Sequence, residues 1–220
     1  MTRIDEQIKK EVVDQLYWDT RIDASDVKVE VTNGVVTLSG TVPDYMGFRA
    51  AGNDVWDIPG VLRVDNRLMV RYPAEVSIPG KEEMVGLIEN MIRWNANLDE
   101  TKIMVTSEDG RIKLEGSVDS YWKKSRAEEI VHDVVGVVEV VNELAVVPTD
   151  DILDEAIGEE LMGALERNIY VDPNAINVKV EKGRVTLSGS VENSLTLRAA
   201  VDTARHTPGV TDVVNNLTLS

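Results

Sequence analysis

The spacing of apolar residues changes period in a fixed order along the chain. Ile8, Val12 and Leu16 stand four apart, the period of an amphipathic helix. Val27, Val29 and Val31 then alternate with polar residues, as in a strand with one buried face. Asn33-Gly34 follows, a dipeptide suited to a hairpin turn because both its central residues need positive φ. A second alternating run, "VVTLSG" (35–40), puts Val36 and Leu38 on one face and Thr37 on the other. Phe48, Ala51 and Val55 then return to helical spacing. Gly60 is suited to a left-handed helix C-cap, and "GVLRVDNRLMV" (60–70) reads as a third strand. The predicted unit is α-β-β-α-β.

This unit is written three times. Gly34, Gly110 and Gly183 lie 76 and then 73 residues apart, and Gly40, Gly116 and Gly189 keep those intervals. So do Gly60, Gly136 and Gly209, and Asn66, Asn142 and Asn215. Four markers in one register define three tandem units, covering residues 1–72, 81–147 and 150–220. The units start near Ile4, Lys81 and Asp151. The predicted first helices carry Met84, Ile88 and Ile92 in unit two and Ile157, Leu161 and Leu165 in unit three. The hairpins turn at Asp109-Gly110 and, with a weaker dipeptide, at Lys182-Gly183. The expected fold class is α+β: three tandem units, each a three-stranded sheet with two helices on one face. The place of the third strand is left open, with a right-handed crossover if it runs parallel to the second. All nine glycines are read as structural, since a phosphate-binding loop needs several glycines opening a helix. A semi-extended linker, 71–80, carries two prolines; the second, about 147–150, holds Pro148. A unit of about 70 residues has a marginal core, so the three are expected to pack together through apolar faces.

The pattern of a Val/Ile strand, "G-x-V-x-L-x-G-x-V", an Arg/Ala-bearing helix and "G-V-x-x-V-x-N-x-L" resembles the BON domain of bacterial envelope and osmotic-stress proteins. The resemblance covers nearly the whole chain, three times. It implies a stress-related binding or scaffold protein that contacts phospholipid surfaces or a protein partner.

Composition narrows this further. The net charge is −16, and residues 1–72, 73–147 and 148–220 hold 12, 15 and 12 acids against 9, 8 and 6 bases. No part is basic, which disfavours a nucleic-acid partner. There is no cysteine, so disulfides, thiolate metal sites and cysteine nucleophiles are excluded. The N-terminus has no apolar leader core, and the expected location is cytoplasmic, or periplasmic if a leader was removed.

No catalytic constellation emerges. His132 and His206 sit in different units, near the ends of second helices, and both are expected at the surface. His132 aligns with Trp56 and Arg205. No carboxylate pair recurs with the repeat, and the protein is not expected to be an enzyme. Asp151, Asp154, Glu155 and Glu159 stack on neighbouring helical turns without the glycine-bearing loop of an EF-hand. They read as a solvated face near a helix N-terminus. No cofactor or metal residue is assigned, but some proteins of the resembled family bind potassium. A potassium- or divalent-cation-sensing role is therefore the alternative.

The candidate contact surface is "SYWKKSR" (120–126), where Tyr121 and Trp122 stand beside Lys123, Lys124 and Arg126. Interfacial aromatics and local positive charge suit an anionic membrane. Three bases supply at most ~3 kcal/mol there, so aromatic insertion has to contribute. Trp18 and Trp94, aligned at the ends of their first helices, are the further candidates.

Overall fold

The computed structural model describes residues 5–149 and 152–219. The expected starts at Ile4 and Asp151 lie outside the described residues. The first repeat runs α1 (Asp5–Trp18), β1 (Val27–Thr32), β2 (Val35–Val42), α2 (Tyr45–Trp56) and β3 (Arg63–Val70). The middle repeat runs α3 (Lys81–Trp94), β4 (Ile103–Glu108), β5 (Arg111–Val118), α4 (Tyr121–His132) and β6 (Glu139–Val146). The third runs α5 (Asp154–Arg167), β7 (Ile176–Glu181), β8 (Arg184–Val191), α6 (Ser194–His206) and β9 (Asp212–Leu219). Short 3₁₀ turns precede β4 and β7.

Each repeat forms its own three-stranded sheet in sequence order, with the hairpin's second strand central. In the first and third repeats the hairpin is antiparallel and the last strand joins the central one in parallel. That parallel pairing explains the helix between them, because parallel neighbours need a long crossover. The hairpins close through two-residue turns: Thr32 pairs with Val35, leaving Asn33 at φ 51° and Gly34 at φ 74°. Asp109 and Lys182 take the same left-handed conformation at 49° and 53°.

The alternation places each core. Val36 and Leu38 are buried from β2 and meet Ile8, Val12 and Leu16 of α1 with Ala51 and Val55 of α2. In the third repeat Val185 and Leu187 meet Ile157, Leu161, Leu165, Ala200 and Ala204. Ile88, Ile92, Ile112, Leu114 and Leu144 are the corresponding fully buried residues of the middle repeat.

The repeated asparagine ties the last strand down. Asn66 Nδ2 donates to the Phe48 carbonyl of α2 at 3.0 Å, and Asn142 Nδ2 to that of Lys124 in α4 at 2.8 Å. In all three repeats this asparagine's Oδ1 accepts from the backbone N–H two residues on.

One expectation is corrected. Gly60, Gly136 and Gly209 all have positive φ, but they do not cap the second helices. Those helices end at Trp56, His132 and His206, and the glycines lie three or four residues later, in the turn before the last strand.

By its contacts the chain divides into two compact units. One holds the chain up to Ile88, which includes the first repeat and the start of α3, with Thr106–Lys113 and Ile130–Val141; the other holds Glu89–Val105, Leu114–Glu129 and the chain from Asn142 on, which includes the third repeat. The division passes through the middle repeat.

Candidate functional site

The stretch 120–126 opens α4, and folding engages most of it. Tyr121, Trp122, Lys123 and Lys124 are half-buried and Arg126 is exposed. The Arg205 guanidinium of α6 lies over the Tyr121 ring, 5.8 Å from its centroid. Lys123 Nζ donates to Asp119 Oδ2 at 2.7 Å, one helical turn back, which holds the Asp119 carboxyl below its usual range. Arg126 donates to Glu129 at 3.0 Å. Two of the three bases are thus paired with acids of their own segment. Exposed pairs of this kind contribute little to stability, but they cancel the local positive charge on which the sequence reading relied.

The ends of the first helices are the more open surface. Trp18 is 77% exposed and Trp94 81%. Both follow the last core residue of their helix, Leu16 and Ile92, by two positions and so point away from the core. Tyr17, 74% exposed, meets Trp18 edge-on with centroids 5.5 Å apart. The third repeat has Arg167 at the aligned position, yet Ile169 and Tyr170, just beyond α5, are 88% and 54% exposed. Each repeat therefore presents large apolar side chains where its first helix ends. In the first repeat a shallow groove of about 320 Å³ adjoins, lined by Val13, Tyr17, Ile22, Ala24, Val27 and Val29.

Charge beside Trp18 is internally compensated. Arg21 Nε donates to both oxygens of Asp19 at 3.0 Å, and Nη2 reaches Asp54 Oδ1 at 3.3 Å. Gln15 Nε2 donates to the other Asp54 oxygen at 3.2 Å. The Arg21 side chain holds the Asp19 carboxyl far below the ordinary range, while burial pushes Asp54 up. In the third repeat the aligned pair is neutral, Asn168 Nδ2 donating to Thr203 Oγ1 at 3.2 Å.

Sequence reasoning missed the role of Asp5 and Asp154. Each is the first residue of its helix and clamps the hairpin turn of its own repeat. Asp5 accepts from the N–H groups of Asn33 at 2.7 Å and Gly34 at 3.0 Å. Asp154 accepts from Lys182 at 2.7 Å and Gly183 at 2.8 Å, which lowers its pKa. The signal was present as aspartate in one register of two repeats, with Lys81 in the middle one. Asp154 was instead read as part of an acidic face; Asp151, of the same face, lies outside the described residues.

His206 is exposed, as expected, with Nδ1 2.7 Å from the Asp202 carbonyl. His132 differs from expectation. It is half-buried, with its ring 5.2 Å from that of Tyr45 in α2. Among the described residues, no group of three or more histidines and acids is placed to hold a metal ion. Nor, among them, is any helix long and apolar enough to cross a membrane.

Comparison with known proteins gives this repeat a family. The chain is 31% identical over 126 residues to osmotically-inducible protein Y of Escherichia coli, spanning 56% of this chain and 63% of that one. It is 33% identical over 132 residues to the outer membrane lipoprotein DolP of Haemophilus influenzae, spanning 58% and 68%. CdsD, a structural protein of the type III secretion system of Chlamydia trachomatis, aligns over 99% of this chain and 93% of its own at 16% identity, with a TM-score of 0.28. These relatives give the expected cytoplasmic location no support, one of them being named for the outer membrane. The BON domain model matches residues 4–72, 85–148 and 153–220, and the chain belongs to the BON-domain family, in three tandem copies.

Proposed function

We propose that this chain is a non-catalytic binding protein of the bacterial envelope, active in osmotic or envelope stress, that contacts phospholipid surfaces through the ends of its first helices. The observation that carries the reading is the exposure of Trp18 and Trp94 at aligned positions, with Tyr17 exposed beside Trp18 and Ile169 and Tyr170 exposed just beyond α5 of the third repeat. Tryptophan and tyrosine favour the headgroup level of a bilayer because one part of the ring system is apolar and the other polar. Burying one such side chain is worth roughly 2 kcal/mol, so one ring gives weak attachment and repeated rings act together. The names of two relatives, one osmotically inducible and one an outer membrane lipoprotein, support the setting. The net charge of −16 opposes binding to an anionic surface, which assigns most of the attraction to ring insertion.

The test is flotation with vesicles of phosphatidylglycerol and phosphatidylethanolamine at low and moderate salt. Wild type should float, Trp18→Ala/Trp94→Ala should lose most of that binding, and Lys123→Glu/Lys124→Glu should retain it. The reverse order would return the site to α4. Failure of wild type to float would overturn the lipid reading in favour of a protein partner.

A further inference from the structure

Asn33-Gly34 is the one Asn-Gly dipeptide in the chain, and such a dipeptide can react with itself. The nitrogen of a glycine that follows asparagine is not crowded by a β-carbon. Once that nitrogen has given its proton to water, it can attack the asparagine Cγ. A bond forms between Gly34 N and Asn33 Cγ, the Cγ–Nδ2 bond breaks, and the amide leaves as ammonia after taking a proton from water. Water then opens the five-membered ring at one of its two carbonyls, leaving aspartate or isoaspartate at position 33. Nothing is oxidised or reduced.

The fold holds back the first step. Asn33 is exposed, but Gly34 is buried, and its N–H, which has to lose its proton, donates to Asp5 Oδ1 at 3.0 Å. The Asn33 N–H donates to the other Asp5 oxygen at 2.7 Å. A carboxylate bonded to an N–H favours the protonated nitrogen, because ionisation would set two negative charges against each other. The ring therefore closes only after the start of α1 has left the turn. The other repeats show what the product would meet. There the turn residue and the first residue of the helix carry opposite charges, Lys182 with Asp154 and Asp109 with Lys81. Asn33 is the uncharged case, and a carboxylate in its place makes a like-charged pair with Asp5. The middle repeat, with lysine at the helix start, leaves Gly110 half-buried, where Gly34 and Gly183 are buried.

We propose that Asn33 is a site of spontaneous deamidation controlled by Asp5: the clamp sets the rate, and the carboxylate formed at position 33 repels Asp5 and weakens the clamp. The change runs one way and adds one negative charge, so it marks chains whose first repeat has opened. It is independent of lipid contact.

Peptide mapping by mass spectrometry, on the full chain incubated at mildly alkaline pH, follows the amide-to-acid mass gain at position 33. Wild type should convert far more slowly than the same chain unfolded in urea. Asp5→Ala should convert about tenfold faster than wild type, since the charge-assisted bonds that hold the turn shut are gone. Asp5→Asn, which keeps an acceptor oxygen without the charge, should fall between them, and it carries the test if Asp5→Ala melts too early to stay folded. Conversion in folded wild type as fast as in urea would overturn the protection. Conversion in Asp5→Asn no faster than in wild type would overturn control by the Asp5 charge. Thermal melts test the product: Asn33→Asp should lower the midpoint, and Asn33→Asp/Asp5→Lys, which copies the middle repeat, should recover most of the loss. An Asn33→Asp protein that melts as wild type, or one that Asp5→Lys does not rescue, would overturn the repulsion.

Discussion

A β-carbon added at Gly40 would stand 2.0 Å from the Asp26 carbonyl oxygen, on a residue whose φ is 112°. Gly116 and Gly189 meet the carbonyls of Lys102 and Ala175 at 2.0 and 2.1 Å. Backbone cannot yield as the tip of a side chain can, so the repeated glycine is where strand pairing brings two backbone segments together without room for a side chain. Gly86 is the contrasting case, lying inside α3 with nothing within 4 Å of an added β-carbon. The same substitution should therefore act with opposite signs. Gly40→Ala is expected to destabilise the first repeat by roughly 2–4 kcal/mol, and Gly86→Ala to stabilise the middle one by up to about 1 kcal/mol. Urea denaturation of the two variants beside wild type checks both, and equal effects would remove the steric account.

At the scale of elements, the helix-to-hairpin clamp ties α5 to the turn between β7 and β8. Lys182-Gly183 is a poor turn dipeptide, yet its φ values match those of Asn33-Gly34. The Asp154 carboxylate supplies what the dipeptide lacks, accepting from both turn N–H groups. Those bonds lower the Asp154 pKa from its ordinary 3.8. A carboxylate depressed on folding contributes stability that is complete above its unfolded value and is lost as pH falls through its folded one. Asp154→Asn should therefore lower the thermal midpoint at pH 7, with the gap from wild type narrowing below about pH 4 as the native carboxylate protonates. A gap constant from pH 7 to pH 2 would mean that the charge is irrelevant.

The clamp also marks the limit of what periodicity can reveal. Helices, hairpins and cores were legible because each rests on residues within one element, at period 3.6 or 2. The partners of Tyr121, His132 and Asp154 lie 84, 87 and 28 residues away in the sequence, where no local spacing speaks for them. The stretch 120–126 read as a basic aromatic surface because Lys123 and Arg126 were counted without Asp119 and Glu129. The exposure of Trp18 and Trp94 could have been found by extending each helical stripe two residues past its last core position.

For the molecule as a whole, the junctions decide whether three small cores unfold together or one by one. In a repeat array, stability is a sum of unit terms and nearest-neighbour terms, and a unit of about 70 residues has little of the first kind. Arg205 above Tyr121 belongs to the second kind. A guanidinium over an aromatic face contributes about 0.5–2 kcal/mol according to how far it is desolvated. The Arg205 side chain also donates to Asp202, a partner on its own helix, at 3.4 Å. Tyr121→Ala removes the ring without touching either hairpin. It is expected to make urea unfolding of the full chain less cooperative, with a lower apparent m-value as the third repeat opens ahead of the rest. Limited proteolysis gives the location: cutting should accelerate at the linker around Pro148, where residues 147–149 carry no helix or strand, and leave the 71–80 linker at its wild-type rate. If both linkers are cut at unchanged rates and the m-value holds, the ring contact carries no coupling and the middle and third repeats are joined by the chain alone.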